Sequence, residues 1–207
     1  MNLVKITRLR NKGEKYKINM KVYKDIIDCM LIVLGYKDTY TLDHSIRVGK
    51  MAYKLGGFLG MSENELEVVQ LAGKLHDIGK IGIPDSILNK RGKLDRNEWD
   101  IMKKHSQIGC GILSNSKYLK CISYIVLNSH ERWDGTGYPN GLSGEKIPFA
   151  ARVISICDSV DAMKSKRIYK TLISDFECRK ELIKNKGTMY DHIIVECMIR
   201  YWDEIVT

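Results

Sequence analysis

Four of the five histidines in this 207-residue chain fall where a helix would carry apolar side chains, and that placement is the first sign of chemistry. His44 shares a three-and-four-residue spacing with Val48, Met51 and Leu55, while His76 continues Leu66, Val69 and Ala72 and is followed directly by Asp77. His105 falls between Ile101, Ile108 and Ile112. His130 closes the run Leu119, Ile122, Val126 and Ser129, and Asp158 shares a face with Ala151, Ile154 and Asp161. One histidine on an apolar face is more often a hydrogen-bonded core residue than a ligand. Four imidazoles and two carboxylates on the inner faces of five helices are costly to bury unless something compensates them. Divalent cations do so. Mixed imidazole and carboxylate donors suit borderline transition ions such as Mn, Fe or Zn, whereas all-oxygen sites suit Mg or Ca. An aspartate beside a ligating histidine can bridge two ions, and ions about 3.5–4 Å apart are the usual arrangement for in-line displacement at a phosphoester. His192 follows Asp191 at the start of the last helix, off the apolar face, and reads as a surface residue.

The elements that must position these groups are helices. From Val22 onward the apolar spacing predicts an all-α bundle, with helices near 22–35, 40–58, 63–78, 96–114, 118–130, 148–164, 172–186 and 191–205. Ser62 to Glu65 and Asp95 to Glu98 have the spacing of capping boxes, and Pro148 suits a first turn. Two stretches break the pattern: 79–94, with Gly79, Gly82, Pro84 and Gly92, and 132–148, with Gly135, Gly137, Pro139, Gly141 and Gly144. That density of glycine and proline forbids regular helix, and the aromatic residues Trp133 and Tyr138 in the second stretch predict a loop packed against something.

Composition bounds the rest. With 44% hydrophobic and 29% charged residues the chain reads as one ordinary globular domain. Its longest apolar run, Cys29–Leu34, is far short of the roughly 18–20 residues of a membrane span, so no transmembrane segment and a cytoplasmic location are expected. The six cysteines form no C-x-x-C pair and mostly have apolar neighbours, which predicts buried free thiols. Of the net charge of +9, residues 1–24 carry +7, leaving +2 for the remainder. The basic stretch reads as a solvated segment. A nearly neutral folded part without a recognition motif argues against a specific nucleic-acid partner.

Taken in order, the motifs His76-Asp77-Ile78-Gly79-Lys80-Ile81-Gly82-Ile83-Pro84-Asp85, His105-Ser106-Gln107-Ile108-Gly109, His130-Glu131-Arg132-Trp133-Asp134-Gly135-Thr136-Gly137-Tyr138-Pro139, Asp158-Ser159-Val160-Asp161-Ala162 and Arg167-Ile168-Tyr169-Lys170 resemble the HD-GYP subgroup of the HD superfamily. The resemblance covers about residues 38–205, which sets residues 1–37 apart as a basic N-terminal segment and first helix, with an HD-GYP domain over 38–207. It implies a five-helix HD core with added helices and a Gly-rich GYP loop. The implied activity is a phosphodiesterase that opens cyclic di-GMP to linear pGpG, GMP or both through a metal-activated hydroxide. It further implies two divalent transition-metal ions, Fe or Mn before Zn, held by His44, His76, Asp77, His105, His130 and Asp158, with Asp77 bridging. Lys80, Tyr138, Arg167 and Lys170 match positions that contact substrate phosphate or line its pocket, and Lys80 is a candidate proton donor. Asp161 is implied as an outer partner. The chain departs from the pattern at Ser129, where many relatives carry a second histidine, and at Tyr40, where some carry an acidic residue associated with a third metal. Three further readings stay open: another cyclic dinucleotide as substrate, a catalytically weak sensor, and an adaptor that meets a protein partner through the GYP loop. The chain also reads as a stand-alone protein, without receiver or sensory domain.

Overall fold

Helix follows helix along the described residues, and no strand forms among them. The computed structural model describes residues 20–165 and 173–206, so Arg167 and Lys170 lie outside the described residues. The helices are α1 (Met20–Lys37), α2 (Thr39–Phe58), α3 (Glu63–Leu75), α4 (Asp85–Leu88), α5 (Arg96–Met102), α6 (His105–Ser114), α7 (Lys120–Leu127), α8 (Phe149–Lys164), α9 (Asp175–Lys184), α10 (His192–Arg200) and α11 (Trp202–Ile205). Both predicted capping boxes start helices. The Glu98 amide donates to Asp95 Oδ1 at 2.9 Å and the Asp95 amide to Glu98 Oε2 at 2.8 Å, opening α5; the Ser62 amide donates to Glu65 Oε2 at 2.8 Å, opening α3. Losing such a cap costs about 1 kcal/mol.

Apolar stripes from successive helices meet in one core that includes Leu55, Val69, Leu75, Val126, Ile154 and Val160, and Ile27, Leu31 and Leu34 tie α1 into it. Helices α2 and α3 cross closely. A Cβ on Gly73 would lie 3.0 Å from Gly49 Cα, and one on Gly49 would lie 2.9 Å from Gln70 O. Two glycines face to face let the backbones approach, which brings the helices bearing His44 and His76 together.

Five expectations need correction. The helix foreseen over 191–205 divides at Tyr201 into α10 and α11. The helix foreseen over 96–114 breaks into α5 and α6 at Lys103–Lys104, because the turn after α3 presses its backbone on the start of α6: a Cβ on Gly79 would sit 1.9 Å from His105 O. The break resets the phase, so α6 buries His105, Ser106, Gly109 and Leu113, while Ile108 and Ile112 are only half-buried. The stretch 79–94 is not devoid of helix. It opens with a 3-10 turn, Ile78–Gly82, and holds α4, a single turn behind Pro84. Finally, all six cysteines are free but only Cys157 and Cys178 are buried, whereas Cys29 and Cys121 are exposed. Among the described residues no helix is long and apolar enough to cross a membrane.

Candidate functional site

Five helices deliver the predicted ligands to one place, and most do so from their ends. His44 and Asp158 come from within α2 and α8; His76 caps the C-terminus of α3, Asp77 precedes the 3-10 turn, His105 begins α6, and His130 follows α7. His44, His76, Asp77 and His105 are each no more than 3% exposed. Two groups result that could hold a metal ion, His44 with His76 and Asp77, and Asp77 with His105 and His130; within each, the ligand atoms all lie within 4.8 Å of one another.

Asp77 belongs to both groups through different oxygens. Its Oδ2 is 3.7 Å from His44 Nε2 and 3.5 Å from His76 Nε2, while its Oδ1 is 3.5 Å from His105 Nε2. Asp158 adjoins the first group, with Oδ1 3.2 Å from His44 Nε2 and 3.8 Å from His76 Nε2. In the second group His105 Nε2 and His130 Nε2 are 2.9 Å apart.

Three of the remaining ring nitrogens are tied to acceptors. His76 Nδ1–H donates to Gly73 O at 2.7 Å, His105 Nδ1–H to Met102 O at 2.8 Å, and His44 Nδ1–H to Asp161 Oδ2 at 2.7 Å. A carbonyl only accepts, so it fixes the proton on Nδ1 and leaves Nε2 as the lone-pair donor facing the cluster. Four inward Nε2 atoms around a carboxylate with one oxygen for each group suit borderline divalent ions.

Charge is distributed unevenly. Burial opposes protonation of His44, but its hydrogen bonds to Asp158 and Asp161 outweigh it and raise its pKa to about 10. Burial and the neighbouring His105 push His130 down to about 3, and burial lowers His105. Burial disfavours the Asp77 charge, yet Lys80, His76, His105 and His44 together hold its carboxyl well below the usual range. Lys80 Nζ donates to Asp77 Oδ2 at 2.6 Å and stays charged for the reciprocal reason.

Tyr138 walls the second group. Its ring stacks on His130, centroids 5.1 Å apart and planes within 14°, and meets His105 edge-on at 6.3 Å. The loop bearing it is packed, as its aromatic content predicted. A Cβ on Gly137 would lie 2.4 Å from Arg132 N, and the Trp133 and Asp134 amides donate to Met189 O and Thr188 O at 3.1 and 2.8 Å.

Three residues escaped the sequence reading. Buried Glu131 accepts the Asn140 and Leu142 amides at 2.7 and 3.1 Å and so braces the loop from beneath; its signal was adjacency to His130. Arg47, one turn after His44, donates through Nε and Nη2 to Asp161 at 2.6 and 3.0 Å, giving the chain Arg47–Asp161–His44. Half-exposed Trp99 stands edge-on to Tyr138 at 6.3 Å. Asp161 thus anchors the His44 imidazole, in keeping with an outer partner. Ser129 is buried with its hydroxyl donating to Val126 O at 2.9 Å. His192 is half-exposed, its side chain at 52%.

The profile of the HD-domain family matches residues 30–194. Among curated relatives, a 3'3'-cGAMP-specific phosphodiesterase 2 of Vibrio cholerae is 42% identical over 165 residues, which is 79% of this chain and 32% of the relative. A cyclic di-GMP phosphodiesterase of Thermotoga maritima is 40% identical over 183 residues, 87% of this chain and 50% of the relative. The chain therefore spans about a third to a half of the length of these two relatives. Of solved structures, a cyclic GMP-AMP specific phosphodiesterase of V. cholerae superposes with a TM-score of 0.65 at 18% identity, covering 86% of this chain and 48% of that one. The HD domain of the L. monocytogenes phosphodiesterase PgpH gives 0.60 at 20% identity over 86% and 99%. These structural likenesses bear on the fold alone. The profile match spans most of the chain and all six clustered ligand candidates, and the chain belongs to the HD-domain family.

Proposed function

We propose that this chain is a metal-dependent phosphodiesterase that hydrolyses cyclic di-GMP to linear pGpG, GMP or both. The observation that carries the reading is the pair of His/Asp groups sharing buried Asp77, set in a family whose relatives include named cyclic di-GMP phosphodiesterases. His44, His76, Asp77 and Asp158 would hold one ion, and Asp77, His105 and His130 the second; Fe or Mn fits this donor set best. Bound there, divalent ions supply Lewis acidity toward phosphate oxygen and an acidified water. The other tasks fall to side chains. Asp161 and the Gly73 and Met102 carbonyls keep the imidazoles aimed, and neutral Tyr138, its pKa raised by burial and by Asp77 and Asp158, offers a phenol proton to a phosphate oxygen. Water adds to phosphorus as the bond to one ribose oxygen breaks; that oxygen takes a proton from charged Lys80, the attacking water releases one to the medium, and Lys80 recovers its own from there. Arg167 and Lys170 are assigned to the phosphate from the motif alone.

A second substrate is favoured by one observation: the 42%-identical relative is named for 3'3'-cGAMP. The deciding experiment incubates anaerobically purified chain, loaded with Mn or Fe, with each cyclic dinucleotide and separates the products. Linear dinucleotide or GMP from cyclic di-GMP, absent in a His76→Ala, Asp77→Ala control, is the expected result. Turnover of 3'3'-cGAMP alone moves the substrate and keeps the chemistry; no turnover with either sinks the enzymatic reading.

A further inference from the structure

Helix α5 buries none of its residues, yet it carries an indole. The other two tryptophans serve the fold. Trp202 is 2% exposed and its Nε1–H donates to Asp175 Oδ2 at 2.9 Å, while half-buried Trp133 packs against the Arg152 guanidinium, 5.6 Å from its ring centroid. Trp99, at 47% exposure, meets the wall of the site instead. Its ring stands edge-on to Tyr138, centroids 6.3 Å apart and planes at 84°, and Tyr138 in turn stacks on His130 at 5.1 Å. Exposure rises along this row, from His105 at 3% through half-buried His130 and Tyr138 to Trp99. The row therefore runs outward from the second metal-binding group to solvent, along a side on which the site opens.

Both sides of the row are held in place. The capping box of Asp95 and Glu98 fixes the start of α5, Lys90 Nζ donates to both Glu98 carboxylate oxygens at 2.7 and 2.6 Å, and the end of α5 supplies Met102 O, the acceptor that aims His105. Across from it, Glu131 braces the loop that bears Tyr138. A fixed aromatic surface, half in solvent and two ring contacts from the His/Asp cluster, suits a ligand that carries a base beside a phosphodiester. A purine sits one ribose away from its phosphate, a reach of the same order as the two ring steps. Stacking on an aromatic side chain accepts any base, because every base has a π-face.

We propose that Trp99 stacks on a nucleobase of the cyclic dinucleotide while a phosphate of the same ligand lies at the His/Asp cluster, an assignment that rests on the phosphodiesterase reading above. Trp99 is then a substrate-binding residue that holds the ligand without choosing its base.

The test uses the full Mn-loaded chain with cyclic di-GMP and with 3'3'-cGAMP. Product chromatography gives KM and kcat, and rapid mixing follows indole fluorescence as each dinucleotide binds. Trp99→Ala and Trp99→Leu raise KM about 5- to 100-fold for both ligands, the worth of one stacked base, while kcat, metal content and the inhibition constant of inorganic phosphate, which has no base, stay at wild-type values. Trp99→Phe keeps most of the affinity, and the fluorescence quench seen with the wild-type chain disappears. A wild-type KM in Trp99→Ala overturns the assignment, as does Trp99→Leu binding as well as Trp99→Phe, which would make apolar bulk sufficient. A fall in kcat at constant KM also overturns it, because Trp99 would then only prop Tyr138. Each of these leaves the phosphodiesterase reading standing. A wild-type chain that neither quenches nor turns over with either dinucleotide removes that reading and this assignment together.

Discussion

Around His44 the protein gathers carboxylates: oxygens of Asp77, Asp158 and Asp161 lie 3.7, 3.2 and 2.7 Å from its ring nitrogens. Around His130 it gathers rings instead, with His105 at 2.9 Å and Tyr138 stacked on the imidazole. The same residue type therefore carries opposite charge tendencies a few ångströms apart, raised to about 10 at His44 and lowered to about 3 at His130. Without an ion, the first group neutralises its aspartates with a proton on His44 and with Arg47 and Lys80. The second needs no such help, because its imidazoles are neutral and share a single carboxylate. An entering cation meets an extra proton to displace at the first group and neutral imidazoles, with no net proton to lose, at the second.

The largest expected effect erases the difference. Asp77→Ala removes the only carboxylate of the second group and one of the first, so bound metal measured by plasma emission falls at both, and turnover falls by more than the roughly 100-fold that loss of an outer partner costs. Retention of one ion with full affinity would mean that one group does not use Asp77. Asp161→Asn strikes one side. It keeps the shape but removes the charge that holds His44 Nδ1–H, so metal affinity drops about 10- to 100-fold at the first group and stays unchanged at the second, as titration calorimetry resolves. Equal losses at both would dissolve the distinction.

Protons give a third reading. The folded pKa of His44 lies above its ordinary value of 6.5, so in the metal-free chain its proton adds stability that is fully present below about 6.5 and lost as pH rises through about 10. Metal binding to the first group at pH 7.5 must therefore expel about one proton, and its apparent affinity climbs with pH. His105 and His130 are shifted down and already neutral at that pH, so the second group expels none. Calorimetry in buffers of different ionisation enthalpy counts both.

What the sequence could show follows from the range of each interaction. His44, His76 and Asp158 were legible because regular helices repeat every 3.6 residues, and a polar group on an apolar stripe is visible in a short window. The capping boxes were legible because their partners are three residues apart. The break before His105 was not, because its cause is the approach of Gly79 to the His105 carbonyl across a turn that no spacing encodes. Nor was the Arg47–Asp161 pair, whose members are 114 residues apart. Glu131 stood in plain view within its motif, but its task depends on where the loop folds back to offer the Asn140 and Leu142 amides.

The smallest effect belongs to Ser129, one of the two positions where the chain leaves the HD-GYP pattern it resembles. A hydroxyl that completed the second group would point at His105 and His130. Here it donates to Val126 O instead, satisfying a carbonyl at the end of α7. Ser129→Ala should therefore cost about 0.5–1.5 kcal/mol of folding stability, the worth of one buried hydrogen bond, seen as a lower midpoint in urea. Metal content and turnover should stay at the wild-type level. If metal is lost from the second group without a change in stability, the hydroxyl serves the ion after all, and the poverty of that group in donors is less than the geometry implies.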